Sequence, residues 1–166
     1  MDIQEAVKSQ YYASLEMMKQ VIDKCPAGLW LDTSTPNPYW QVAYHALFYV
    51  HFYMQPAEAD FIPWEKQRTN YHFLELSPEE AAELPEVLEP YTQDELLEYA
   101  ALCQQYLDEI VPRLDFEGPS GFYWLPFNKL ELQFYSLRHL QGHIGELSQR
   151  LVDHSRIEIN WVGGKR

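Results

Sequence analysis

Basic residues are scarce in this chain: 12 lysines and arginines stand against 25 aspartates and glutamates, a formal charge of −13. So acidic a surface repels phosphate backbones and anionic lipid headgroups, which excludes nucleic acid and membrane surfaces as partners. Cysteine is nearly missing. Cys25 and Cys103 form neither a CxxC pair nor a multi-cysteine pattern, so no disulfide framework is expected and both should stay free thiols in a reducing compartment. Runs of 18 or more apolar residues are lacking, and MDIQEAVKSQ has no basic stretch followed by an apolar core. The expectation is a soluble, cytoplasmic protein. The sequence also has no Gly-rich phosphate loop, HExxH, GxSxG or EF-hand pattern, and its terminal GGK has no upstream glycine to make a P-loop. None of the histidines follows a glutamate by three residues, so the Glu-x-x-His pairs of a ferritin-like di-iron site are absent too.

Helical periodicity, by contrast, is abundant. The length of 166 residues suits one domain, 1–166, burying about two thirds of its surface on folding. Val7, Tyr11, Leu15, Met18 and Ile22 recur at spacings of four and three, and Pro26 with Gly28 should stop that helix. The second opens after Pro36 and Pro38 and reads YWQVAYHALFYVHFYM, apolar around nearly its whole circumference and therefore central. Thr92 and Glu95 make a capping box for the third, which runs through Leu96, Tyr99, Cys103, Leu107 and Ile110 to Pro112. Leu130, Phe134, Leu137, Leu140, Ile144, Leu147 and Leu151 give the fourth the strongest periodic signal. These patterns predict helices over residues 3–24, 37–54, 93–111 and 128–153, to within two to four residues at each end.

The connection between the second and third helices is about 35 residues long and carries Pro56, Pro63, Pro78, Pro85 and Pro90. Ser77, Pro78 and Glu80 predict one short helix there, ending before Pro85. The alternating Ile157, Ile159 and Trp161 of RIEINWV predict an extended tail laid over the helices. Short outer connections around a long middle one permit an antiparallel pair, a crossover and a second pair, an all-α four-helix bundle.

Three histidines are candidate metal ligands. His139 and His143 lie four residues apart, about 40° apart around a helix axis, so both rings can lean toward one ion. His45 sits in the most apolar helix, where its ring needs a buried partner or an internal site. Imidazole at this spacing suits Zn²⁺, Ni²⁺ or Fe²⁺. Glu146 continues the same face and is a candidate ligand, a partner fixing an imidazole tautomer, or a solvated glutamate. His51 projects about 240° away from His45 and reads as a packed or interface residue. His72 and His154 have no partner at ligand spacing. Tyr44, Phe48, Trp64, Tyr123 and Trp124 are candidate pocket walls, with core packing as the alternative for each.

The segments YWQVAYHALFY, YTQDELLEYA and RHLQGHIGELSQRL, in this order and spacing, resemble the DinB-like superfamily over nearly the full chain. The resemblance implies an up-up-down-down bundle, a homodimer, and one divalent metal ion held by His45, His139 and His143. It further implies a metal-dependent enzyme that activates a small thiol or water, either a thiol-dependent transferase or a hydrolase. The alternative is a non-catalytic stress-response or protein-interaction bundle whose metal site is structural, vestigial or absent.

Overall fold

Asp2 starts the first helix, its carboxylate accepting the backbone N–H of Gln4 at 3.0 Å. Helix α1 then runs Ile3–Asp23 and buries Val7, Tyr11, Leu15, Met18 and Ile22, the stripe expected of it. The computed structural model describes residues 2–75, 79 and 89–164. Pro26 does end α1, but Gly28 is no stop. It lies inside a one-turn helix, α2 (Ala27–Trp30), because the extended backbone of Pro26 sets the chain up for a new turn that buries Leu29 and Trp30.

Helix α3 (Tyr39–Met54) is buried along almost all of its length, as an all-round apolar helix must be. The crossover that follows contains a 3-10 turn, Glu58–Asp60. The short helix expected from Ser77, Pro78 and Glu80 falls outside the described residues. Helix α4 (Gln93–Ile110) begins with the capping box read from Thr92 and Glu95 and passes into a 3-10 turn at Val111–Arg113. Asn128 caps α5 (Lys129–Ser155). No strand occurs among the described residues, so the chain is all-α there. Among them no helix is long and apolar enough to cross a membrane.

One residue of the α5 stripe is misplaced by periodicity. Phe134 is 60% exposed, and the buried face carries Gln133 and Ser136 instead. Gln133 is tolerated there because it is fully engaged: Tyr11 Oη donates to its Oε1 at 3.0 Å and its Nε2 donates to the carbonyls of Lys129 and Tyr53. The tail after Ser155 is extended over α1 as expected, with Gln20 and Lys24 donating to the carbonyls of Asn160 and Glu158. Ile157, Ile159 and Val162 pack on the core, whereas Trp161 stays outside.

Cross-helix contacts give the direction of each element. Helices α1 and α3 each pack against both α4 and α5. Lys8 pairs with Asp108 while the carbonyl of Ile22 accepts from Gln93, so α1 and α4 are antiparallel. Tyr11 meets Gln133 and Ser14 meets Gln141, so α1 and α5 run together. His45 faces His139 while Asn37 accepts from Arg150, so α3 opposes α5. Tyr44 packs on Tyr99 and His51 on Tyr106, so α3 and α4 are parallel. The chain order is therefore up, down, down, up. This corrects the expected up-up-down-down order: helices joined by the outer connections are antiparallel, as the connection lengths permit, but they do not pack as pairs, since α1 and α3 each pack mainly on α4 and α5. The long connection between α3 and α4 returns the chain to start a parallel helix.

Candidate metal centre

Gln41 and His45 lie one turn apart on α3. The Gln41 amide donates to the carbonyl of Phe73 at 3.0 Å and reaches that of Tyr71 at 3.5 Å, pinning the crossover against the helix. The intervening His72 carbonyl is thereby held over His45, whose Nδ1–H donates to it at 2.6 Å. On α5, His139 and His143 project toward the same point. His45 Nε2 lies 2.9 Å from His139 Nε2, which lies 3.2 Å from His143 Nε2. All three candidate ligand atoms fall within 4.8 Å of one another. Bonds of about 2.05 Å place neighbouring ligand atoms about 2.9 Å apart around an octahedral ion and about 3.3 Å apart around a tetrahedral one. The two contacts through His139 fall in that range, while the full trio, spread over up to 4.8 Å, would have to draw in for one ion to reach all three.

The protonation pattern makes this cluster unusual. A carbonyl can only accept, so His45 carries its proton on Nδ1 and turns a lone pair inward from Nε2. His143 Nδ1 faces the Glu146 carboxylate at 3.1 Å, which assigns a proton to Nδ1 and, in the neutral ring, the inward lone pair to Nε2. His139 Nε2 stands between them and, in the neutral ring, has at most one proton to give. At least one of the two short contacts then sets lone pair against lone pair unless a cation lies among them. Desolvation by burial holds His45 near a pKa of about 3, with the neighbouring histidines adding to the shift, and burial with the neighbouring His143 holds His139 near about 4. Both rings are neutral at pH 7, the form that coordinates.

A groove of about 320 Å³ opens over the two α5 histidines, lined by Tyr135, Arg138, His139, Gly142, His143 and Glu146. Glu146 takes the outer position among the roles considered for it, bonded to His143 and 3.7 Å from Arg150. His51 is buried, bonded to Tyr99 Oη at 3.1 Å and stacked on Tyr106. His154 is exposed and bonds Ser155. His72 does reach the site, through its carbonyl rather than its ring, which stacks on Phe48 at 4.0 Å.

None of the five aromatic pocket candidates lines this groove. Tyr44 stacks in the core and Phe48 supports His72; Trp64, stacked on Tyr99, lines a separate groove with Tyr106, Tyr123 lines another with Phe122 and Phe127, and Trp124 stacks on Phe52. The aromatic neighbours of the histidines are instead Tyr49, 4.8 Å from the His45 ring and 5.4 Å from His139, and Tyr135 at the groove wall. A signal for both was present: Tyr49 follows His45 by four and Tyr135 precedes His139 by four, so each shares its histidine's face. Compared with protein-family models, curated proteins and solved structures, the chain matches none.

Proposed function

We propose that the protein binds one divalent ion, zinc, nickel or iron, through His45, His139 and His143, and acts as a metal-dependent enzyme of the DinB-like kind on a small thiol or water. The observation that carries this reading is the convergence of three Nε2 atoms, two with lone pairs fixed inward by outer hydrogen bonds. Three protein ligands leave coordination positions for a further ligand, and a bound ion lowers the pKa of water or of a thiol held there. The chain's own residues do the positioning. The His72 carbonyl and the Glu146 carboxylate each hold a ring and its tautomer, and Gln41 holds the carbonyl. Tyr135 and Gly142 shape the approach.

The fold belonging to this proposal is a four-helix bundle of α1, α3, α4 and α5. We further propose a soluble, cytoplasmic C2 homodimer, supported by the exposure of Phe134, Tyr123 and Trp124. Light scattering at tens of micromolar should give the mass of two chains; a single-chain mass overturns the dimer.

Elemental analysis of protein purified without a histidine tag tests the site. Wild type should carry one equivalent of metal, and chelation should lower its melting temperature, because an ion bound only by the folded state adds to stability. His143→Ala should lose both the metal and the chelator response, and His154→Ala should keep both. Retention of one tightly held equivalent by His143→Ala rejects the three-histidine site. Turnover of a thiol conjugate by the loaded protein separates a catalyst from a bundle in which the ion is only structural.

A further inference from the structure

We infer that the ligand completing the histidine site carries a carboxylate, and that Arg138 is the residue that reads it; this rests on the metal proposal above. Arg138 lines the groove with His139 and His143. Among the described residues its guanidinium has no hydrogen-bond or ion-pair partner, and its one ring contact is the face of Tyr135, 5.5 Å away. In a chain with 25 acids and 12 bases, a cation left unpaired at a groove is a local reversal of the prevailing field. Most other cations are spoken for. Lys8, Lys19, Lys66, Arg68 and Arg150 pair with carboxylates, and Lys129 with carbonyls. Glu146, the acid nearest at hand in the groove, is turned to His143 and Arg150.

Gly142 supplies the room. Arg138, Gly142 and Glu146 follow one another at spacings of four, a single stripe beside the Tyr135, His139 and His143 stripe. A Cβ at Gly142 would meet nothing within 4 Å, so no neighbour demands a glycine. A glycine in the middle of a helix costs up to about 1 kcal/mol relative to alanine, and packing gives no return for it. What the missing side chain leaves is an open path along the groove floor between the backbone positions of Arg138 and Gly142, four residues of helical rise or about 6 Å. A donor atom at the ion and a carboxylate two or three bonds further on fit that path, and the planar guanidinium matches the carboxylate with two parallel N–H donors.

The test uses full-length protein loaded with Co²⁺, a visible-spectrum stand-in for the native ion, and two small thiols of similar length, 3-mercaptopropionate and 2-mercaptoethanol. Titrations followed by the thiolate-to-cobalt band should show the carboxylate thiol binding about tenfold more tightly to wild type. Arg138→Gln should bring that ratio near one while leaving cobalt content and 2-mercaptoethanol affinity unchanged, and Arg138→Lys should keep part of the preference. Gly142→Leu should weaken both thiols without loss of cobalt. A ratio near one in wild type, or a preference that survives Arg138→Gln, overturns the inference and leaves the metal site standing. Fully loaded protein whose spectrum responds to neither thiol overturns it together with the thiol reading. Protein that takes up no cobalt removes the metal proposal, and this inference with it.

Discussion

Lys129 is the residue on which the lower end of the molecule turns. It is only 3% exposed, and its ammonium donates to the carbonyls of Gln55 at 2.9 Å, Pro56 at 2.8 Å and Ser120. Gln55 is the C-cap of α3, so the cation also sits at the negative end of that helix. Beside it Gly121, with φ +84°, passes so close to Pro56 that any Cβ would strike the Pro56 carbonyl oxygen. Lys129→Met keeps most of the apolar stem and removes every donor, leaving up to three carbonyls to find other partners. A loss of about 3 kcal/mol is expected, seen as a lower urea midpoint at unchanged slope. A midpoint within error of wild type would mean that water replaces the ammonium at no cost. In the sequence Lys129 looks like any first-turn residue. Its role depends on a loop 70 and more residues upstream, which no local pattern reports.

At the scale of the element, α4 has the best-specified start. Thr92 Oγ1 accepts from Glu95 N at 3.2 Å, and Glu95 Oε2 accepts from Thr92 N at 2.8 Å. Thr92→Ala should cost about 1 kcal/mol in thermal or denaturant unfolding, with Thr92→Ser close to wild type. Such caps, and the stripes of α1 and α4, were legible because they depend on residues within a turn or two of each other. Helix direction was legible only in part: the connection lengths permitted the helices of each outer pair to reverse, but which helix packs against which follows from the residues that meet across the interfaces, such as Tyr11 with Gln133 and His45 with His139. Phe134 shows the same limit on one helix. Its spacing fits the apolar stripe, yet Gln133 beside it takes the buried place because Tyr11 and the Tyr53 carbonyl offer it partners. The histidine trio was legible as residue types and spacing. Its outer partners were only partly so: Glu146 lies on the helix face of His143, but the His72 carbonyl is a backbone group and leaves no mark in a sequence.

For the whole molecule, buried imidazoles tie stability to pH. Desolvation lowers His51 to about 4, away from any proposed ligand and with Tyr99, Tyr106 and Phe61 as its neighbours. In the unfolded chain the ring titrates near its ordinary value of about 6.5. The depressed folded value means that its stabilising contribution is complete above pH 6.5 and is lost as pH falls toward 4, because the unfolded chain takes up a proton that the folded one refuses. Over that window His51→Gln should flatten the pH dependence of unfolding free energy by about 1.4 kcal/mol per pH unit. An unchanged slope would assign the acid sensitivity elsewhere.

The way the histidine cluster is shared among segments sets its place in time. His139 and His143 meet as soon as a few turns of α5 form, whereas His45 is 94 residues from His139 and depends for its ring orientation on His72, in the crossover. Local contacts close in well under a microsecond, and a pairing across so long a loop waits for most of the chain to condense. If the proposed ion binds here, it meets a two-toothed clamp first during folding and a three-toothed one last. On that proposal its capture would be a late, slow-tightening event that locks the finished topology, and dissociation would begin at His45, where the crossover can loosen without unwinding either helix.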